Sequence, residues 1–141
     1  MQNHKKQRPS AVTLLALGVL ILTSLNGVRF VSALATWDLL ADLMPRPGPL
    51  YIAATGLTWT VGGLIVFLGL WLGLKWARFA TLGFSGFYAA YYWLDRLIFQ
   101  AAVPRANLSF VLIATFVLLI FTAGTLITPG SRKYFETKRE K

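Results

Sequence analysis

The sequence predicts an all-α integral membrane protein, a bundle of four transmembrane helices with both termini in the cytoplasm. Of its 141 residues, 56% are hydrophobic and only 13% are charged. Soluble domains have about 45–50% apolar residues, and about a quarter of their residues are charged. Four apolar runs are each long enough to cross a bilayer core of about 30 Å, which takes about 20 helical residues.

The predicted elements follow from these runs and the breaks between them. The four spans cover residues 11–36, 50–74, 77–99 and 107–128. Pro129 and Gly130 end the last span, because neither residue favours continuing a helix. We therefore predict one transmembrane domain over residues 10–130, with basic tails at 1–9 and 131–141.

The orientation follows from the lysines and arginines. In this topology ten of them lie on the side that holds both termini and four lie on the opposite side. Cytoplasmic segments carry the excess of Lys and Arg. We therefore expect both ends in the cytoplasm and a multi-pass protein of a bacterial inner membrane.

A cleaved signal peptide is the alternative for the first span. The basic start and the Ala33–Ala35 triplet resemble the ends of such a peptide. The apolar run is too long, however, and Arg29 lies between it and the triplet. An uncleaved span is the favoured interpretation, and cleavage would leave three spans.

The connections between spans also have interpretable patterns. Asp38 and Asp42 lie one turn apart among leucines, which fits a short interfacial helix. The proline-rich residues 45–49 predict a stiff turn. The segment "GLWLGLKWARFATLGF", residues 69–84, resembles the tight cytoplasmic hairpin of uncharacterised small four-span bacterial membrane proteins. That resemblance implies the four-span layout, and it does not point to any particular activity.

A polar cluster is predicted near the outer end of spans 1 and 3. Its candidate members are Asn26, Arg29, Tyr88, Tyr92, Asp95 and Arg96. Counted from the starts of their spans, Arg29 and Asp95 both lie about 27 Å along the helix. Charges at that depth favour a partner, so we predict an ion pair between them.

Other interpretations of this cluster remain open. Arg96 could pair with Asp38 or Asp42 instead, or each charge could extend separately to water. The polar stripe on span 3 fits hydrogen-bonded helix packing, and it also fits a water-filled vestibule at the outer face.

Four glycines are candidates for close helix packing. Gly69 and Gly73 form a GxxxG match in span 2, and Gly83 and Gly86 lie on one side of span 3. Such small residues let helices approach closely, within one bundle or between subunits.

Composition excludes several kinds of chemistry. The chain has no cysteine, and its single histidine, His4, lies in the N-terminal tail. This leaves no base for a membrane serine and no thiolate or imidazole ligand within the spans. We therefore expect no enzymatic activity, no catalytic or metal-binding residue and no cofactor. The net charge of +9 is concentrated beside apolar spans, which indicates anionic lipid rather than nucleic acid as its partner.

The expected function is that of a non-enzymatic accessory, scaffold or assembly subunit. Its partners would be the lipid bilayer and, through helix contacts, further copies of itself or another membrane protein. The alternative is a small oligomeric transporter or channel with a polar vestibule at the outer face.

Overall fold

The computed structural model describes residues 9–43, 47–99 and 107–136. Within these residues the chain is helical and contains no strand, which confirms the predicted all-α class. The helices are α1 (Ser10–Ala35), α2 (Trp37–Leu43), α3 (Gly48–Leu72), α4 (Lys75–Phe99), α5 (Leu108–Ile127) and α6 (Pro129–Glu136). The predicted proline-rich turn is only partly described, and the basic segments at 1–8 and 137–141 lie outside these residues.

The long helices correspond to the predicted apolar runs. α1, α3, α4 and α5 each begin and end within two residues of a predicted span. Among the described residues, three of them, α1, α3 and α5, are long and apolar enough to cross a membrane. α4 has a similar length but is less apolar, because it contains Tyr88 and the five aromatic and charged side chains of the stretch "YYWLDR".

The bundle is built on an antiparallel pair formed by α1 and α3. This is the most extensive helix contact in the described part of the chain. Gly63 lies directly against Thr23, and a Cβ added to Gly56 would lie 3.0 Å from the backbone nitrogen of Phe30. The two glycines let the backbones approach closely, as small residues do in membrane helix pairs.

The hairpin between α3 and α4 is closed by the first predicted glycine pair. Gly73 ends α3 with φ at 66°, a left-handed conformation that glycine adopts without strain. The amide of Gly73 donates to the Leu70 carbonyl at 3.2 Å, and that of Leu74 donates to the Gly69 carbonyl at 2.9 Å. These are the two hydrogen bonds of a Schellman ending, and they allow α4 to start at Lys75.

The apolar core lies at one end of the bundle, where α1 and α4 begin and α3 and α5 end. It is formed by small and branched side chains, namely Val12, Leu15, Ala16, Val19, Val66, Leu70, Ala77 and Leu126, together with Tyr134 and Phe135. We call this end the core end, and the end that holds Arg29 and Asp95 the polar end.

The helix α6 is the main departure from the sequence analysis, which placed residues 131–141 in a polar tail. Phe135 is only 2% exposed, and the Tyr134 hydroxyl donates to the Trp71 carbonyl at 3.1 Å. Thr128 breaks the helix before Pro129, whose fixed φ and missing amide suit the first position of a new helix. The chain therefore turns back after α5 and covers the core end.

α2 agrees with the short helix predicted around Asp38 and Asp42. Thr36 separates it from α1, and its amide still donates to the Ser32 carbonyl at 2.9 Å. None of the α2 side chains is buried.

Candidate functional site: a tyrosine cluster at the polar end

The polar end holds a cluster of hydrogen-bonded side chains from α1, α3 and α4. We call it the tyrosine cluster and define it as Asn26, Arg29, Tyr51, Tyr88, Tyr91 and Asp95. Asn26 is buried, and the other five are half-buried. The cluster contains four of the six predicted site residues and two tyrosines that the prediction left out.

Two hydrogen bonds join α1 to α4 within the cluster. The Asn26 amide donates to the Tyr88 hydroxyl at 3.3 Å, and Arg29 Nη1 donates to the Tyr91 hydroxyl at 3.1 Å. The same Asn26 nitrogen also donates to the Leu22 carbonyl, one turn earlier in α1, at 2.9 Å. Steps of three residues on both helices keep these pairs on facing sides.

A third hydrogen bond joins α3 to α4. The Tyr51 hydroxyl donates to Asp95 Oδ1 at 2.9 Å. The Tyr51 ring also contacts Phe99, with ring centroids 5.2 Å apart. A phenol donating to a carboxylate is a short, charge-assisted hydrogen bond, which holds the start of α3 to the end of α4.

Trp59 of α3 packs against the aromatic rings of the cluster. Its ring meets Phe84 and Tyr88 edge-on, with centroids 5.3 and 4.9 Å apart, and lies 5.2 Å from Tyr91. Edge-to-face pairs at these separations are favourable beyond their burial. The indole therefore fixes the tyrosine rings whose hydroxyls carry the hydrogen bonds.

The predicted ion pair between Arg29 and Asp95 does not form. Arg29 donates instead to the hydroxyl of Tyr91, which comes one turn before Asp95 in α4. The difference of four residues along α4 corresponds to about 6 Å, one helical turn. Counting depth from the ends of apolar runs cannot fix the register of two helices more finely than that. Tyr51 of α3 is a described hydrogen-bond partner of Asp95.

Arg96 and Tyr92 lie beside the tyrosine cluster rather than within it. Arg96 Nη1 donates to the Tyr92 hydroxyl, one turn earlier in α4, at 3.1 Å. Asp38 and Asp42, the predicted alternative partners of Arg96, are exposed on α2. Tyr92 lines a different space, which lies between α1, α4 and α5.

That space is an apolar groove with a cavity volume of about 520 Å³. Its walls come from the first half of α1, the middle of α4 and most of α5. The polar side chains that reach it are Ser85, Tyr88, Tyr92, Thr115 and Thr122. Tyr88 therefore belongs to both, since it lines the groove and its hydroxyl accepts a hydrogen bond in the tyrosine cluster.

The predicted packing glycines fall into two groups. Gly69 is buried, and a Cβ there would lie 2.8 Å from the Ala77 Cβ, so α3 and α4 are in contact at this point. Gly83 and Gly86 lie on the exposed side of α4, where an added Cβ would meet nothing within 4 Å. Within the described chain these last two do not serve helix packing.

The tyrosine cluster is a network of hydrogen-bonded side chains from three helices. Among the described residues, no buried side-chain nitrogen or oxygen lacks a partner, and no group of three or more His, Cys, Asp or Glu could hold a metal ion. The sequence analysis missed Tyr51, Trp59 and the role of Tyr91. The available signal was that Tyr51 and Tyr91 occupy the same end of neighbouring antiparallel spans.

Comparisons with known proteins add no identity, because no protein family, curated protein or solved structure matches the chain.

Proposed function

We propose that this chain is a non-enzymatic accessory or scaffold subunit of a bacterial inner membrane. In this proposal it crosses the bilayer four times and associates through an exposed face of α4. The observation that carries the proposal is the pair Gly83 and Gly86, which lie open on α4 between the exposed rings of Phe79 and Phe87. Small residues flanked by large apolar ones are typical of sites where membrane helices dock.

The four-span topology is supported by the length of α4 and by its surface. At 25 residues, α4 is about 37 Å long, enough to cross a core of about 30 Å. Its tyrosine hydroxyls accept hydrogen bonds from α1 and from Arg96, and its Asp95 accepts one from α3. Its exposed side chains Phe79, Phe87 and Leu94 are apolar and suit the membrane interior. Its modest mean hydropathy therefore reflects side chains that face the bundle interior.

The cytoplasmic placement of both termini is supported by the position of α6. Tyr134 packs on Gly73, so the exposed Arg132 and Lys133 are at the end of the bundle where Lys75 starts α4. Their charges add to those of the N-terminal segment in the sequence, on the side that the positive-inside rule assigns to the cytoplasm.

Cysteine labelling tests this topology directly, because the chain has no native cysteine. In intact cells a membrane-impermeant thiol reagent should label Pro47→Cys and leave Lys75→Cys and Lys133→Cys unlabelled until the membrane is opened. Labelling of Lys133→Cys from outside would overturn the orientation.

The association role is tested by enlarging the two open glycines. Purification of the tagged chain in mild detergent should recover a stable complex, either a homo-oligomer or a defined membrane partner. The double substitution Gly83→Leu, Gly86→Leu should release it. Gly124→Leu is the matched control, since Gly124 is also exposed and open but lies on α5. A wild-type chain recovered only as a monomer, or a complex that survives the double substitution, would contradict the proposal.

A small transporter or channel is the second candidate, and the groove beside Tyr88 is the observation that favours it. Transport through the outer face requires water at the tyrosine cluster, whereas a scaffold does not. Rapid labelling of Tyr88→Cys by a small water-soluble thiol reagent, at a rate close to that of Pro47→Cys, would favour transport. Labelling of Tyr88→Cys that is slower than that of Pro47→Cys by orders of magnitude would favour a cluster sealed from water, as in a scaffold.

A further inference from the structure

The groove between α1, α4 and α5 has an end that opens and an end that closes. Every buried residue of α5 lies in its last part, namely Thr122, Thr125 and Leu126. The preceding stretch, residues 108–121, has no buried side chain. α5 is therefore held most firmly at the core end, and the groove that it lines is less enclosed toward the polar end, which we call the open end of the groove.

The groove has the size of a small-molecule site. Its wall on α1 runs from Leu14 to Leu22, a length of about 12 Å. The cavity is about 520 Å³, which lies in the range of sites for small molecules, about 300–1,000 Å³. A flexible chain of methylene groups suits such a narrow, apolar space.

The open end of the groove carries a cation. The Tyr92 hydroxyl lines the groove and accepts a hydrogen bond from Arg96 at 3.1 Å. Among the residues that the structure describes, Arg96 forms no ion pair with a carboxylate. A guanidinium has five N–H donors, so most of them are available to a phosphate oxygen.

We propose that the groove binds one acyl chain of an anionic glycerophospholipid, whose phosphate is held by Arg96 and Tyr92. The apolar walls fit the chain, and the guanidinium at the open end complements the negative head group. This inference depends on the membrane placement proposed above and is independent of the scaffold role.

The test compares two lipids with identical acyl chains, phosphatidylglycerol and phosphatidylcholine, on the purified full chain in detergent. Native mass spectrometry counts the bound lipid. One arginine beside the head group corresponds to about a fivefold preference for the anionic lipid. We expect this preference in the wild type, equal binding of the two lipids in Arg96→Gln, and an unchanged preference in Arg78→Gln. Arg78 is the matched control, a half-buried arginine at the opposite end of α4.

The acyl chain is tested separately at Ala114, which lines the groove from α5. Ala114→Phe should fill the groove and reduce binding of both lipids at least fivefold. Ala114→Leu, a smaller change, should give a partial loss if the larger variant does not yield folded protein. Unchanged binding in folded Ala114 variants, or a preference that persists in Arg96→Gln or falls equally in Arg78→Gln, would overturn the inference. Absence of the chain from the membrane fraction would instead refute the membrane placement.

Discussion

The closest approach of α1 and α3 predicts that one small substitution will be costly. A Cβ added to Gly63 would overlap Thr23 Oγ1 and would lie 3.2 Å from the Thr23 Cβ. Thr23 cannot rotate away freely, because its hydroxyl donates to the Val19 carbonyl at 2.7 Å. Overpacking of this kind costs about 1–3 kcal/mol, and alanine is favoured over glycine in a helix by about 1 kcal/mol. Gly63→Ala should therefore destabilise the protein by up to about 2 kcal/mol.

The assay is unfolding of the detergent-solubilised chain by SDS, followed by helical circular dichroism. Gly86→Ala is the matched control, since Gly86 lies in the interior of a helix with open space around it. It should be neutral or stabilising by up to about 1 kcal/mol. The difference between the two substitutions isolates the packing cost.

A second change shows whether Thr23 is the cause of that cost. In a Thr23→Ala background the overlapping oxygen is gone, and the nearest remaining Thr23 atom is 3.2 Å from the added Cβ. Gly63→Ala should then cost much less, which gives a coupling energy of about 2 kcal/mol between the two positions. The reasoning fails if Gly63→Ala behaves like Gly86→Ala, or if its cost is the same in both backgrounds.

Three further predictions concern other parts of the molecule. Tyr51→Phe removes the hydrogen bond to Asp95 and should lower the free energy of unfolding by about 1.5–3 kcal/mol, because that bond is to a charged group. The same SDS titration measures this change, and an unchanged midpoint would mean that water replaces the phenol hydroxyl. Phe135→Ala should cost about 3–5 kcal/mol, because the ring is buried at the core end, whereas Phe116→Ala on the exposed side of α5 should change stability by less than about 0.5 kcal/mol. Equal effects would refute the placement of α6. The purified chain, whose only histidine is His4, should be colourless and free of stoichiometric transition metal by elemental analysis, and a bound haem would contradict this.

The helices could be predicted from the sequence because each is encoded locally. An uninterrupted apolar run bounded by proline, glycine or charge indicates a membrane helix without reference to its neighbours. The end of α3 could likewise be predicted, since Gly73 followed by the basic "LKWAR" turn indicates a tight hairpin. α6 could not be predicted in this way, because Tyr134 and Phe135 lie among charged residues in the sequence. Their burial depends on an apolar surface contributed by other helices.

The tyrosine cluster could be predicted only in part, for a related reason. Polar residues at three- and four-residue steps identified the faces of α1 and α4 that meet, and the Asn26–Tyr88 hydrogen bond joins those faces. The exact pairing depends on relative register, and a shift of one turn replaced the expected partner of Arg29 by Tyr91. The partner from α3, Tyr51, required knowledge of which helix lies next to Asp95.

The glycines show why small-residue motifs alone do not identify a contact. Gly63 is buried against α1 outside any GxxxG match that the sequence analysis used, whereas Gly83 and Gly86 face away from the bundle. The same residue type can therefore shape the interior or leave a face for another molecule, and only the positions of neighbouring backbones distinguish the two.

The two ends of the bundle are stabilised differently, and this difference bears on the lipid-binding proposal. At the core end, α5 is fixed by the burial of Leu126, and the chain continues through Thr128 into α6, whose Phe135 is buried in the same core. At the polar end, hydrogen bonds join α1, α3 and α4, and none of those described involves α5. Among the described residues, α5 is therefore packed into the bundle mainly at the core end. In the lipid-binding proposal the head group lies at the other end of the groove, beside Tyr92 and Arg96.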